Sequence, residues 1–233
     1  IAGYAAKLRP AVCGKYRSYK VCSMGPPSSG GIAVIQILGQ LQRFDLAALG
    51  ADNPVAWHLL AESERLAFAD RAAFVGDPDF VQVPTAGLID AGYIRARGEL
   101  ISASSTMAKV SAGRPRGAPP RKAGTSNEVP STSHFSAVDA RGNVAALTST
   151  VEGSFGSGLI SGGFVLNNEL TDFDFVPVVD GVPVANRVQP GKRPRSSMTP
   201  TIVYDAKGHV LLSVGAAGGP TIISQTVMAV IQV

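Results

Sequence analysis

The chain has 233 residues, 45% hydrophobic and 16% charged, with 21 basic and 17 acidic side chains for a formal net charge of +4. That apolar content suffices for a sizeable core and is too high for a disordered chain, while no run of about eighteen apolar residues is present to cross a bilayer. The net charge identifies no partner: residues 101–131 hold Lys109, Arg114, Arg116, Arg121 and Lys122 against Glu128 alone, so the remainder is neutral, and nucleic acid would need a basic face with aromatic platforms.

The chain opens on Ile1 and stops inside the apolar, helix-like run Thr221 to Val233, so it reads as a piece of a longer protein. Val12 to Tyr16 and Tyr19 to Ser23 read as strands around Arg17-Ser18. A two-residue turn there sets Cys13 opposite Cys22, close enough either to bridge or to stand as two half-buried thiols. Next come Gly25-Pro26-Pro27-Ser28-Ser29-Gly30-Gly31 and the apolar helical run Ile32 to Leu41. Asn53-Pro54 is a helix start, with Asn as cap and Pro at the first helical position. Apolar residues then recur at helical spacing through Trp57, Leu60, Leu66, Phe68 and Phe74, up to the break at Gly76-Asp77-Pro78.

Residues 101–131 are rich in Ser, Ala, Gly, Pro and basic residues with little apolar periodicity, the composition of a flexible, solvated connector. It runs into a β-rich segment, Thr132 to Val138, followed by Asp139-Ala140-Arg141-Gly142-Asn143 and a second β-rich run, Val144 to Thr150. A three-residue loop with Gly142 at its left-handed position pairs Asp139 with Asn143, which carries Thr132 opposite Thr150. From there to Tyr204, short β-rich runs alternate with Gly- and Pro-rich loops, and Thr221 onward returns to helix. Helices, then strands, then helix predict an α+β or layered αββα domain.

A threonine at the start of a strand, just after a connector, suits one chemistry in particular. If the backbone is cut before Thr132, its freed α-amine can serve as base for its own hydroxyl, with neither histidine nor metal. His58 and His209 lie far apart, and no Cys/His set has metal-ligand spacing, so no metal or other cofactor is expected. His134 lies two residues from Thr132 on the same strand face and leaves a hydroxyl–histidine arrangement open. Gly218-Gly219-Pro220, ahead of the Thr221 helix, presents unhindered N–H groups at a helix start, as an oxyanion hole, a carboxylate site or simply a tight connection. It is no nucleotide loop, since no Gly-Lys-Ser/Thr follows. Glu169 and Asp172, in Leu166-Asn167-Asn168-Glu169-Leu170-Thr171-Asp172, either hold a substrate ammonium or form a polar turn. Arg195-Ser196-Ser197-Met198 sets two hydroxyls beside a cation, which suits a carboxylate.

As an ordered set, Pro26-Pro27-Ser28-Ser29-Gly30-Gly31, Gly76-Asp77-Pro78-Asp79-Phe80, Thr132-Ser133-His134-Phe135-Ser136, Thr148-Ser149-Thr150, Leu166 to Leu170, Arg193 to Met198 and Gly218-Gly219 resemble the gamma-glutamyltransferase family over essentially the whole chain. The resemblance implies an N-terminal-nucleophile hydrolase with a four-layer αββα sandwich, here partial. Such a protein is made as a precursor that cuts itself, in this chain between Ser131 and Thr132, into large and small subunits that stay associated. Residues 1–100 would then belong to the large subunit, 101–131 to a linker ending at the cut, and 132–233 to the small subunit. Thr132 matches the nucleophile, Thr150 the threonine hydrogen-bonded to it, and Gly218 and Gly219 the oxyanion hole. Glu169 and Asp172 match the grip on the glutamyl α-ammonium, and Ser196 and Ser197 the grip on its α-carboxylate.

What this implies is γ-glutamyl transfer or hydrolysis from glutathione-like amides, to water, an amino acid or a peptide, in the periplasm or outside the cell. Two features depart from the pattern. Glu152 stands where the family carries an asparagine that helps bind the α-amino group, and the family's arginine for the α-carboxylate precedes the position of Ile1. A cephalosporin or glutaryl amide acylase of the same fold, or an unprocessed non-catalytic homologue, is the alternative.

Overall fold

A computed structural model describes residues 3–126, 128–129 and 131–233. The fold is α+β. Strands β1 (Val12–Tyr16) and β2 (Tyr19–Ser23) form the first hairpin, with Cys13 opposite Cys22 and the two joined by a disulfide. The turn places Arg17 in the left-handed region, a poor position for a branched-out side chain. The strain is offset from outside, because the Arg17 N–H donates to Gln42 Oε1 at 3.1 Å and its guanidinium lies 5.2 Å over the Tyr16 ring.

Helix α1 (Gly30–Leu41) is apolar nearly all round and buried along almost its whole length, as a central helix must be. Around it pack the long α3 (Pro54–Phe74), the short α4 (Thr85–Leu88) and α5 (Ala91–Gly98), while the short α2 (Leu46–Leu49) packs on α3. The Asn53 side chain accepts the Val55 N–H at 2.9 Å, the cap expected ahead of Pro54. Hairpin β3 (Ser133–Val138) and β4 (Val144–Ser149) pairs Ser133 with Ser149 and Val138 with Val144, which is the expected register, with Gly142 in the left-handed region. Two small ribbons follow, β5 (Ile160–Ser161) with β6 (Phe164–Val165) and β7 (Val178–Val179) with β8 (Val182–Pro183), flanking a 3₁₀ turn at Glu169–Asp172. Strands β9 (Thr201–Tyr204) and β10 (Val210–Val214) and helix α6 (Thr221–Ile231) complete the order.

The main sheet runs β1-β2-β9-β10, antiparallel throughout. It therefore unites residues on both sides of Thr132. Helix α1 covers the sheet, α6 packs on α1, and the β3–β4 hairpin sets against edge strand β10, where the Ser136 and Ser213 hydroxyls meet at 2.7 Å. One core holds Tyr16, Val21, Ile37 and Leu38 together with Val203, Ile223 and Val227.

Residues 101–131 differ from the solvated connector expected. Their described residues carry no helix or strand, yet they are strapped along α3. Ile101, Met107 and Val110 pack into the core. The Met107 N–H donates to Glu62 Oε2 at 2.9 Å, Gly113 N–H to Asp70 Oδ1 at 2.8 Å and Gly124 N–H to the Ala72 carbonyl at 3.2 Å. Buried carboxylates on α3 draw in the backbone donors of a segment too irregular to pair them itself. Composition reports the missing periodicity and is blind to those partners.

Because Ile223 is fully buried between the two halves of the chain, Ile223→Ala should lower unfolding stability by about 2–5 kcal/mol. Urea denaturation checks this; a loss below about 1 kcal/mol would mean the halves do not share one core.

Candidate active site

The site is built where three loops meet the start of α6. Ser28 and Ser29 hold the Arg195–Met198 strand in place: Ser28 forms a parallel bridge with Ser196, the Ser29 N–H and hydroxyl both donate to the Ser196 carbonyl (2.8 and 2.7 Å), and the Ser28 hydroxyl donates to the Met198 carbonyl at 2.5 Å. Gly30 and Gly31 are needed there because a Cβ would stand 2.3 Å from Thr199 Oγ1 or 2.4 Å from the Met24 carbonyl. The Pro26–Gly31 motif is thus a clamp on the two serines.

Thr132 and Thr150 both line one pocket, with Glu128, Glu152, Glu169, Asp172, Ser196, Ser197, Met198, Gly219 and Ile222. The hairpin register brings the two threonines to the same end of β3 and β4, one residue beyond each strand. Thr132 leaves strand geometry with φ at 108°, a costly conformation for a β-branched residue, on the order of 1–3 kcal/mol. The Thr150 hydroxyl accepts the Glu152 N–H at 2.9 Å. His134 turns elsewhere, its ring nitrogens meeting Thr148 Oγ1 at 2.8 Å and Ser136 Oγ at 3.3 Å. His58 meets the Ser102 carbonyl and His209 pairs with Asp205. Among the described residues no three His, Cys, Asp or Glu side chains are arranged to hold a metal ion.

The carbonyl of Ser131, next to Thr132, is held by two backbone donors. Ser131 O accepts from Gly218 N–H at 2.8 Å and from Gly219 N–H at 3.4 Å. Both glycines have positive φ, 125° and 58°, and a Cβ on Gly218 would stand 2.4 Å from Thr221 Oγ1. Two converging donors polarise that carbonyl and would stabilise an oxyanion formed from it.

The pocket is lined by carboxylates on both sides, Glu128 on one and Glu152, Glu169 and Asp172 on the other. Behind the wall that Glu128 and Ser197 line, the Arg71 guanidinium, at the C-terminal end of α3, donates to Ser29 Oγ (2.7 Å), Ser197 Oγ (2.6 Å) and the Glu128 carboxylate. Ser197 in turn donates to Glu128 Oε2 at 2.5 Å, and the buried Arg195 stands 3.9 Å behind. Burial works against the charge of Glu128, but Arg71 and the Ser197 hydroxyl outweigh it and hold its carboxyl below the usual range. On the other wall, Glu152, Glu169 and Asp172 form no ion pair with any described residue. Burial first, then Glu152 and Glu128, push Glu169 up to about 7. The same causes, with Glu169 added, raise Asp172 well above the carboxylate range. Asn168 ties this wall together by accepting the Gly153 N–H at 2.7 Å, and Asn186 supports it by donating to the Asp172 carbonyl at 2.8 Å.

The structure therefore gathers Ser131, Thr132, Thr150, Glu152, Glu169, Asp172, Ser196, Ser197, Gly218 and Gly219, all singled out in the sequence. It adds Arg71 and Glu128, which were not. Glu128 had a signal, as the lone acid of a basic segment and four residues before Thr132; Arg71, inside a helical pattern, had none.

A raised carboxyl makes the fold pH-dependent with a definite sign. Unfolded, Glu169 titrates near ~4.3; folded, it titrates at about 7. The folded chain thus binds more protons between those values, so this contribution falls as pH rises from about 4 to about 7 and is flat above. His134, lowered by burial, acts in the opposite direction as pH falls through its unfolded value. Comparing Glu169→Gln with the parent isolates the carboxyl: thermal midpoints from pH 5 to 8 should decline less in the variant, and parallel curves would contradict the assignment.

The chain is 40% identical over 243 residues to a glutathione hydrolase proenzyme of Bacillus subtilis (strain 168), and 41% identical over 238 residues to that of Escherichia coli (strain K12). Each match covers 99% of this chain and 40% of the relative, so the chain spans about two fifths of their length. The fold superposes on the crystal structure of cephalosporin acylase from Bacillus halodurans with a TM-score of 0.80 at 21% identity, covering 99% of this chain and 38% of that one. The gamma-glutamyltranspeptidase family profile matches residues 1–233, and the chain belongs to that family.

Proposed function

We propose that this chain is the self-processing and acyl-transfer core of a glutathione-hydrolase-type proenzyme, cut between Ser131 and Thr132 and then using Thr132 as nucleophile. The observation that carries the reading is the Ser131 carbonyl resting on the Gly218 and Gly219 N–H groups, with the strained Thr132 next in the chain. In the first step Thr132 Oγ attacks the Ser131 carbonyl carbon, and the oxyanion stays on the two glycine donors. The C–N bond breaks as the Thr132 nitrogen takes up the hydroxyl proton, leaving an ester between Ser131 and Thr132 Oγ. Water hydrolyses the ester, giving a Ser131 carboxylate and a Thr132 with free amine and hydroxyl.

The second reaction reuses the same parts. Departure of Ser131 frees the glycine donors for the γ-carbonyl of an incoming amide. Thr132 Oγ attacks it with the freed amine as base, the leaving amine takes the proton, and the resulting γ-glutamyl ester passes to water or to an amino-acid or peptide amine. Each well-placed oxyanion donor contributes roughly 3–4 kcal/mol to such a step. The unpaired Glu152, Glu169 and Asp172 favour a donor with an α-ammonium, and Arg71 with Ser197 favours its α-carboxylate. A glutaryl amide, lacking the ammonium, would leave the acidic wall uncompensated, which argues for the γ-glutamyl donor. Glu152, standing where asparagine was expected, joins that acidic wall by accepting the Val129 N–H at 3.1 Å and lying beside Asp172.

The pieces made by the cut would remain together, since β2 pairs with β9 and the core crosses it. Export to the periplasm or cell exterior is supported by the Cys13–Cys22 disulfide, which persists best in an oxidising compartment.

Intact-mass measurement of the full-length protein over time tests the reading. Two fragments, the smaller beginning at Thr132, are expected from the parent and none from Thr132→Ala; a parent chain that stays whole sinks it. Gly218→Ala, whose Cβ would collide with Thr221, should slow the cut by at least about tenfold. An unchanged rate would remove Gly218 from the oxyanion site.

A further inference from the structure

We propose that Asn186, which does not itself line the pocket, is a positioning residue for the acyl donor: its side-chain amide sets the span between the acidic turn Glu169–Asp172 and the serine pair Ser196–Ser197. This rests on the γ-glutamyl reading above and deepens it. Asn186 is fully buried. Its Nδ2 donates to the Asp172 carbonyl at 2.8 Å, and its Oδ1 accepts the Arg195 N–H at 2.7 Å. The first contact fixes the end of the turn that brings Glu169 and Asp172 to the pocket, and the second fixes the residue before Ser196 and Ser197. The direction of the amide is forced, since a carbonyl only accepts and a backbone N–H only donates. Among the described residues no hydrogen bond joins the two segments directly, and Arg195 and Asp174 approach only as an ion pair at 3.9 Å.

The chain holds that amide in place from both sides. The Asn186 carbonyl accepts the Asp174 N–H at 3.0 Å, and Asp174 forms a parallel bridge with Arg187, so the backbone of Asn186 is fastened to the acidic segment. The buried Lys192 donates to the carbonyls of Ala185 at 2.6 Å and Arg187 at 3.0 Å, the two residues that flank Asn186. A loop fixed in this way makes the amide a strut of set length. Length matters for this donor class, because an α-amino acid head carries its ammonium and carboxylate on one carbon and meets both sides together at only one separation. A misplacement of about 1 Å in such a two-point grip can cost on the order of a hundredfold. Without the amide, the Arg195 N–H and the Asp172 carbonyl would be buried unpaired, and the two segments would shift to find other partners.

The test uses the full-length protein, with γ-glutamyl-4-nitroanilide as donor and intact mass as the readout of the cut. Asn186→Ala should raise KM for the anilide at least about tenfold, while kcat and the rate of self-cutting each change less than about threefold, the signature of lost binding without lost chemistry. That separation is expected because Asn186 hydrogen-bonds neither Thr132 nor the Gly218 and Gly219 donors. A merely structural role would slow the cut and lower kcat along with weakening KM; that outcome, or an unchanged KM, overturns the proposal. If Asn186→Ala gives no folded protein, Asn186→Asp carries the comparison, since it keeps the shape and the acceptor for Arg195 and loses the donor to Asp172. A KM raised at least about threefold with cutting unchanged is then expected, and an unchanged KM overturns the proposal. An active parent with an unaffected variant sinks this proposal alone, whereas a parent that neither cuts itself nor turns over the anilide sinks the γ-glutamyl reading and this proposal with it.

Discussion

The carbonyl of Ser131 on the N–H groups of Gly218 and Gly219 is the contact on which the site is organised. It joins the start of the β3–β4 hairpin to the start of α6, two elements 86 residues apart in numbering (132 to 218), and it sets Thr132 beside the pocket. Gly218 is held at φ 125°, where any side chain would strike Thr221, and Thr132, next to Ser131, at φ 108°, where a β-branched residue is strained. Such strain persists only where surrounding structure over-determines it, and here the sheet on one side and the buried α6 on the other do so.

One side of the pocket carries a carboxylate, Glu128, backed by buried cations, and the other carries carboxylates that form no ion pair with any described residue. Arg71 and Arg195 are buried, yet neither is alone, because Glu128, Ser29, Ser126 and Ser197 take their donors. The acidic wall has no such compensation, and its carboxyls are forced upward in pKa by burial and by one another. Titratable groups perturbed in this way, gathered in one pocket with Thr132 and Gly219, are the pattern expected of a functional site.

The strap of residues 101–131 couples this site to the body of the fold. Its backbone donors satisfy Glu62 and Asp70 on α3, and its far end delivers Glu128 to the end of that same helix, at Arg71. Chain before and after Thr132 shares one antiparallel sheet and one core.

The parts that sequence alone determined are those governed by local rules. A two-residue turn set Cys13 against Cys22, Gly142 in the left-handed loop position set the β3–β4 register and so the shared end of Thr132 and Thr150, and Asn53-Pro54 marked the start of α3. Each depends on contacts a few residues apart, where backbone geometry admits few solutions. The Gly218-Gly219 donors were legible as a type of site, since glycines before a helix expose N–H groups, but not as the partners of Ser131. Tertiary structure alone decided the rest: the strapping of 101–131, the turning of His134 toward Thr148, and the meeting of Arg71 with Glu128 and Ser197 across 57 and 126 residues. Buried charges find partners wherever the core brings them, and no spacing along the chain encodes that distance.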